Sequence, residues 1–136
     1  LQPNHKVLEI GTGCGYQSAV LSILCKKVIS MECIKKLADS AKIRLGKLGF
    51  KNITIINSNG LKGYQKEAPY DRIIGTAAPS SIPDALIDQL SPNGKMILPV
   101  GGSVWDQSLF IVKKNKKGKV SIKRSLGVRF VAMVDE

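Results

Sequence analysis

One histidine, three cysteines and ten acidic residues leave few groups from which acid–base, metal or disulfide chemistry could be built. The histidine, His5, precedes the first predicted strand and reads as a surface or linker residue, so no histidine general base is expected. Cys14, Cys25 and Cys33 are odd in number and lack CxxC spacing. That excludes a disulfide scaffold and a zinc site; no metal is expected, and a reducing, cytoplasmic setting is. No apolar run approaches the ~18 residues of a membrane span. No charged segment followed by an apolar one opens the chain as given, so neither membrane insertion nor secretion is expected. Internal repeats, linkers and low-complexity segments are absent.

What is present suits one globular core. Of 136 residues 43% are hydrophobic, enough for a single domain over residues 1–136 but not for two. Basic residues number 21, giving a formal charge of +11, yet only four are arginine, the residue that phosphate forks and base readout favour. The one dense lysine run, Lys113, Lys114, Lys116, Lys117 and Lys119, surrounds Asn115 and Gly118 between two β-like segments and reads as a solvated hairpin turn. A nucleic-acid partner is therefore not expected from charge alone.

Short apolar runs alternate with amphipathic stretches, as in a parallel α/β sheet. Strands are predicted at Lys6–Ile10, Val28–Met31, Ile53–Ile56, Asp71–Gly75 and Lys95–Val100. A helix over about Tyr16–Leu24 presents Ala19, Val20 and Ile23 on one face. A second carries Ile34, Leu37, Ala38, Ala41, Leu45 and Leu48 at 3–4 spacing and stops at Gly49, where a left-handed cap belongs. Ser81, Pro83 and Asp84 read as a capped helix start, and Ser91-Pro92-Asn93-Gly94 as a turn. Beyond Gln107 the strands Leu109–Val112, Val120–Ile122 and Val128–Val134 follow without helices, predicting an antiparallel β tail.

Between the first strand and its helix stands Glu9-x-Gly11-Thr12-Gly13-Cys14-Gly15. Parallel sheets bind ligands there, at the carboxyl ends of their strands. Position 16, where a dinucleotide fingerprint would place its third glycine, is Tyr16, and no Gly-Lys-Ser/Thr closes a P-loop. Glu32 ends the second strand, about twenty residues on, where a carboxylate can accept hydrogen bonds from ribose hydroxyls. Glu9 reads either as a second ligand group or as an acid that organises the loop by binding its backbone N–H groups.

The loop with its two acids resembles motif I of the class I S-adenosylmethionine-dependent methyltransferases, which have a Rossmann-like, mostly parallel, doubly wound sheet. Val7 to Gln17, Tyr70 to Ala78, Ile82-Pro83, Gln89-Leu90, Pro99-Val100-Gly101 and Val128-Arg129-Phe130-Val131 resemble, in order along the chain, the protein-L-isoaspartate O-methyltransferase family. The resemblance implies methyl transfer from S-adenosylmethionine to the carboxylate of L-isoaspartyl residues in damaged proteins, a repair reaction that leaves S-adenosylhomocysteine. It implies a cofactor site at Glu9, Gly11, Thr12, Gly13, Gly15, Glu32, Asn59 and Gly60, and a reactive face at Thr76, Ala77 and Ala78. A carboxylate with a reference pKa of about 4 is ionised at neutral pH and attacks a sulfonium methyl without a general base, so catalysis reduces to placement and exclusion of water.

Two departures stand out. Ser58-Asn59-Gly60 replaces the family's usual Gly-Asp-Gly; Asn59 can still accept from an adenine amino group, without charge assistance, which predicts weakened cofactor affinity. Cys14 replaces a small hydroxyl residue in the loop, with little effect expected. The family also carries a substantial N-terminal segment with a Ser/Thr motif over the cofactor, whereas Leu1 lies only a few residues before the first strand. The reading is then a truncated domain with uncovered apolar surface, which invites self-association or a separate N-terminal chain. A non-catalytic module of the same fold that binds cofactor or a partner chain is the alternative. An RNA methyltransferase is disfavoured because Thr76-Ala77-Ala78-Pro79 stands where base-amino methyltransferases place Asn/Asp-Pro-Pro-Tyr/Phe.

Overall fold

Buried on both faces, the strands of a parallel sheet need near-continuous runs of Val, Ile and Leu rather than alternation. The segments KVLEI and KVISME meet that need, with nearly every residue buried. A computed structural model describes residues 1–101, 107–128 and 131–132. It has β1 (Lys6–Ile10), α1 (Tyr16–Leu24), β2 (Lys27–Glu32), α2 (Lys35–Lys47), β3 (Ile53–Asn57), β4 (Tyr70–Gly75) and β5 (Ala77–Ala78). After these come α3 (Asp84–Asp88), β6 (Leu90–Val100), β7 (Gln107–Lys114), β8 (Val120–Val128) and β9 (Val131–Ala132). The main sheet has the order β3-β2-β1-β4-β6-β7-β8; β1, β2, β3, β4 and β6 are parallel, and β7 and β8 add an antiparallel hairpin. The expected α/β class is present, and the tail is antiparallel in β7 and β8; its third predicted strand, Val128–Val134, is corrected, since Val128 ends β8 and Val131–Ala132 pairs in parallel with β5 in a separate two-stranded sheet. Arg129 and Phe130 of the Val-Arg-Phe-Val signature, and Met133 and Val134 of the last predicted strand, lie outside the described residues.

The larger core sits on one sheet face, where Leu8, Ile10, Ile29, Met31, Ile73, Met96 and Leu98 meet Leu86 of α3. On the other face α1 and α2 lie over β2 and β3, joining Val7, Leu21, Cys25 and Val28 in one cluster and Ala38, Leu45 and Ile55 in another. Gly49 takes the expected left-handed conformation (φ 85°): its N–H reaches the Gly46 carbonyl and Phe50 N–H the Leu45 carbonyl, a Schellman ending. Asn115 closes the β7–β8 turn by accepting from Lys117 N–H at 2.9 Å and Lys119 N–H at 2.8 Å, so the lysine run is a hairpin turn as read, solvated except at Lys114, whose ammonium donates to the Ile87 and Leu90 carbonyls at 2.7 Å.

Four details differ from the sequence reading. The buried face of α1 is Ser18, Leu21 and Ser22, while Val20 and Ile23 face outward, Ile23 at 75% exposure. Ser18 is inside because it serves a buried carboxylate, and Ser22 satisfies its hydroxyl on the Ala19 carbonyl at 2.7 Å. In α2, Ile34, Leu37 and Leu48 are largely exposed, leaving Ala38, Ala41 and Leu45 as the contact stripe. Small residues at two of those positions let the helix lie close to the sheet. Pro83, not Ser81, is the N-cap of α3, with no side-chain cap. Finally, the Ser91–Gly94 turn is an irregularity inside one long strand: Tyr70 pairs with Leu90 and Arg72 with Lys95, and Asn93 absorbs the excess at φ 65°.

Leu86 is the buried residue of the short α3. Leu86→Ala is expected to cost about 2–5 kcal/mol of stability through the cavity it leaves, read as a lower urea midpoint with unchanged slope.

Candidate functional site

The carboxyl ends of β1, β2 and β4 converge on the glycine loop, and hydrogen bonding from each of them shapes it. Gly11 N–H and Thr12 N–H both donate to the Met31 carbonyl at the end of β2, at 2.8 and 3.2 Å. Thr76, just past β4, shares its hydroxyl between the carbonyls of Ile10 at 3.1 Å and Gly11 at 2.9 Å. Gly11 has φ 99°, and a Cβ there would fall 2.4 Å from Thr76 Oγ1, so both its conformation and this close approach require glycine. Gly15 meets Leu45 of α2. At Gly13 (φ 55°) a Cβ would meet nothing within 4 Å: this is the open side of the loop.

Glu9 lies beneath the loop with no exposed surface. Its carboxylate accepts from the Ser18 hydroxyl, the Ser30 hydroxyl and Gln17 Nε2, the last at 3.0 Å. Thr12 Oγ1 and Ser30 Oγ lie 2.6 Å apart, extending the network under the loop. The expectation that Glu9 organises the loop through backbone N–H groups is therefore corrected: every recorded partner is a side chain. Nor does Thr12 offer its hydroxyl to a ligand, since that group is turned inward. Burial pushes the Glu9 carboxyl above the ordinary carboxylate range; the three donors pull against this, and the Glu32 charge adds to it.

Glu32 bonds the loop's backbone rather than its interior side chains. It is 7% exposed, Oε1 accepts from Gly13 N–H at 2.9 Å and Oε2 from Ile34 N–H at 3.2 Å. One carboxylate thus holds the glycine loop and the entry to α2 in register. Two backbone N–H groups leave part of its acceptor capacity for other donors.

Asn59 accepts from Leu61 N–H at 2.9 Å, capping a 3₁₀ turn over Gly60–Lys62. Gly60 faces Ile10, whose Cγ2 would lie 2.4 Å from a Cβ there, so packing explains that glycine. Gln89 at the end of α3 receives Tyr64 N–H at 2.8 Å and donates to the Lys62 carbonyl at 2.9 Å, fixing this wall of the site. Ala77 and Ala78 were expected to form a loop lining the reactive face. They form β5, paired in parallel with β9, and Ala78 is buried in it. The backbone groups of β5 are engaged by β9, which is why two small residues suffice as a strand.

Ser18, Ser30 and Gln17 escaped the sequence reading. Their signals were a serine inside the apolar strand KVISME and two polar residues in the first turn of an otherwise apolar helix. His5 is where it was expected, before β1, with Nδ1 accepting from Gln2 N–H at 3.1 Å.

Because the folded protein raises the Glu9 pKa, that residue's contribution to stability is fully present below its unfolded pKa and lost as pH rises through the folded value. The melting temperature of the wild type minus that of Glu9→Gln should fall as pH rises above about 4, the ordinary carboxylate value. A difference that is flat or rises would contradict the burial argument. Separately, Gly11→Ala should destabilise the protein by about 1–3 kcal/mol, from the Thr76 clash and the positive φ together, measured by thermal melting.

The comparisons with known proteins agree with this geometry. Protein-L-isoaspartate O-methyltransferase 2 of Archaeoglobus fulgidus is 49% identical over 139 residues, covering 100% of this chain and 63% of its own length. A solved protein-L-isoaspartate O-methyltransferase superposes with a TM-score of 0.90 at 29% identity, covering 98% of this chain and 43% of that one. The crystal structure of a protein from Plasmodium falciparum described as a putative protein-L-isoaspartate O-methyltransferase, in complex with S-adenosyl-L-homocysteine, gives a TM-score of 0.83 at 25% identity, over 99% of this chain and 68% of that one. The chain spans about three fifths of the length of the curated relatives it matches. The family model for protein-L-isoaspartate(D-aspartate) O-methyltransferase matches residues 1–136, and the chain belongs to that family.

Proposed function

We propose that this chain forms the cofactor-binding core of a protein carboxyl methyltransferase that transfers a methyl group from S-adenosylmethionine to L-isoaspartyl carboxylates in damaged proteins. The observation that carries the reading is the position of Glu32: a carboxylate beside the open face of Gly13, at the carboxyl ends of two adjacent parallel strands. That arrangement fits the group. It offers spare acceptor capacity to vicinal hydroxyls, free space over a glycine without Cβ, and no phosphate-binding lysine.

When bound, S-adenosylmethionine supplies an electrophilic methyl on a sulfonium. The protein's own residues bind and orient. Glu32 would hold the ribose hydroxyls, and Gly13 and Gly15 give the loop its tight left-handed path. The Glu9–Ser18–Ser30–Thr12 network keeps that loop from collapsing inward. Thr76 fixes the spacing between β4 and the loop, where the methyl donor and the incoming carboxylate have to meet. The substrate carboxylate is ionised at neutral pH, so none of these groups needs to move a proton. Asn59 would border the adenine; with its side-chain oxygen already serving Leu61 N–H, it competes poorly for an amino group, in keeping with weakened affinity.

The proposed setting is the cytoplasm. Cys14, Cys25 and Cys33 form no disulfide with one another, which accords with a reducing compartment. No helix among the described residues is long and apolar enough to cross a membrane.

Calorimetric titration with S-adenosylhomocysteine tests the reading. Micromolar binding, about −8 kcal/mol, is expected. Glu32→Ala should weaken it by roughly tenfold or more, while Glu32→Gln, which retains an acceptor for Ile34 N–H, separates loss of ribose contacts from loss of the loop clasp. A folded chain that binds nothing at millimolar ligand would sink the proposal and favour a non-catalytic module. Binding without methylation of an isoaspartyl peptide would confine the proposal to its cofactor half.

A further inference from the structure

One member of the lysine run at the β7–β8 turn is turned inward. Strand residues two apart share a face, so Lys114 follows Val112, which is buried in the larger core with Leu86 of α3. Half-buried, Lys114 lies against the end of that helix, where Nζ donates to the Ile87 and Leu90 carbonyls at 2.7 Å each. A cation there satisfies carbonyls that have no partner within the helix. The helix needs such help. It is five residues long, and Pro83 gives its other end no side-chain cap. An isolated helix of that length is not stable by itself.

The two carbonyls bracket Gln89, so Lys114 fixes the stretch of backbone that carries this amide. Gln89 is 3% exposed and engages each of its polar atoms. Its N–H donates to the Ala85 carbonyl at 3.2 Å, and its carbonyl accepts from Tyr70 N–H at 2.8 Å. Oε1 accepts from Tyr64 N–H and Nε2 donates to the Lys62 carbonyl. The side chain thus serves residues 62–64 as the peptide group of a neighbouring strand would. The fit is close: a Cβ on Gly63, which has φ 61°, would fall 2.3 Å from Oε1. The clamped segment closes the 3₁₀ turn, since Lys62 N–H donates to the Asn59 carbonyl at 3.3 Å and Gly63 N–H to the Gly60 carbonyl at 3.2 Å.

We propose that Lys114 and Gln89 are positioning residues for the cofactor: Lys114 pins the end of α3, and Gln89 thereby holds the turn that presents Asn59 and Gly60 to the adenine. This rests on the reading of S-adenosylmethionine as the cofactor. Both residues act through the backbone of residues 59–64 rather than by touching the ligand. The antiparallel hairpin, outside the parallel sheet, thereby enters the affinity of a site built at the other strands. Two carbonyls require a side chain with at least two N–H donors, so arginine can stand in for Lys114 and methionine cannot.

The test is titration of the 136-residue chain with S-adenosylhomocysteine, well below its melting temperature so that global stability is not what is read, together with hydrogen exchange at Tyr64 N–H. Lys114→Met is expected to weaken binding by roughly tenfold and to speed Tyr64 exchange while the amides of β1 and β2 stay protected. Lys114→Arg should restore both. Lys113→Met, at an exposed neighbour in the same run, should change neither and controls for charge. Gln89→Leu should act in the same direction and more strongly; if it fails to fold by circular dichroism, Lys114→Met carries the test. A wild type that binds no S-adenosylhomocysteine overturns the cofactor reading and this proposal with it. A wild type that binds overturns the positioning role alone if Lys114→Met binds equally well or leaves Tyr64 exchange unchanged. Failure of Lys114→Arg to restore binding, or an equal loss in Lys113→Met, does the same.

Discussion

A carboxylate with no exposed surface, Glu9, sits where the first two strands, the first helix and the glycine loop come together, and the site depends on its being satisfied. An uncompensated buried charge of this kind would cost several kcal/mol. Ser18 from α1, Ser30 from β2 and Gln17 from the first turn of α1 supply three donors, and Ser30 passes the connection on to Thr12. The arrangement is consistent only if α1 begins where it does and β2 keeps its register. A one-residue slip in β2 would turn Ser30 to the opposite face and present an isoleucine or methionine to the carboxylate. The polar cluster therefore specifies a geometry that hydrophobic burial alone would leave degenerate, and the open loop above it inherits that geometry.

A second carboxylate, Glu32, works from the other side of the same loop. Glu9 holds the interior through side chains, whereas Glu32 takes the backbone N–H groups of Gly13 and Ile34. The two acids thus divide the loop's interior side chains from its backbone. Their mutual repulsion is among the causes that raise the Glu9 pKa, although desolvation is the larger one. Thr76 completes the frame from β4. Ser30 and Glu32 of β2 and Thr76 just past β4 bond the loop directly, and Glu9 of β1 supports it through Ser30, which explains how a glycine-rich segment keeps a defined path.

The sheet was legible in the sequence because β1, β2, β3 and β4 are continuous apolar runs ending in glycine, acid or amide, and the hairpin because Asn115 and Gly118 are turn residues by chemistry. The orientation of α1 was not. Its outward positions carry Tyr16, Val20 and Ile23, so an apolar-periodicity argument selects the wrong face; the buried carboxylate explains why Ser18 goes inside, and Ser22 bonds its own helix's Ala19 carbonyl. The long β6 was obscured because Ser91-Pro92-Asn93-Gly94 has the composition of a turn, whereas partners on both sides of the strand let it carry the irregularity. Among site residues, Gly11, Gly13 and Glu32 were readable from spacing. Asn59, Gly60 and Ala78 were not, because their immediate partners, Leu61 N–H, Ile10 and β9, are tertiary facts that composition does not encode.

The crossover from β3 to β4 contains no α-helix, only two short 3₁₀ turns, at Gly60–Lys62 and Gln65–Glu67. Lys6 and Lys27 hold its far end at Glu67 and the Tyr70 hydroxyl donates to the Tyr64 carbonyl, while one amide side chain, Gln89, reaches back 25 residues to Tyr64 and 27 to Lys62. The Tyr64 N–H thus reports on a remote element: its hydrogen-exchange protection is set by the docking of α3, not by any local ladder. Undocking of α3 would free Lys62 and Tyr64 from Gln89 while leaving Gly13 and Ile34 clasped by Glu32, so that loosening of this crossover and unfolding of the sheet are separable events.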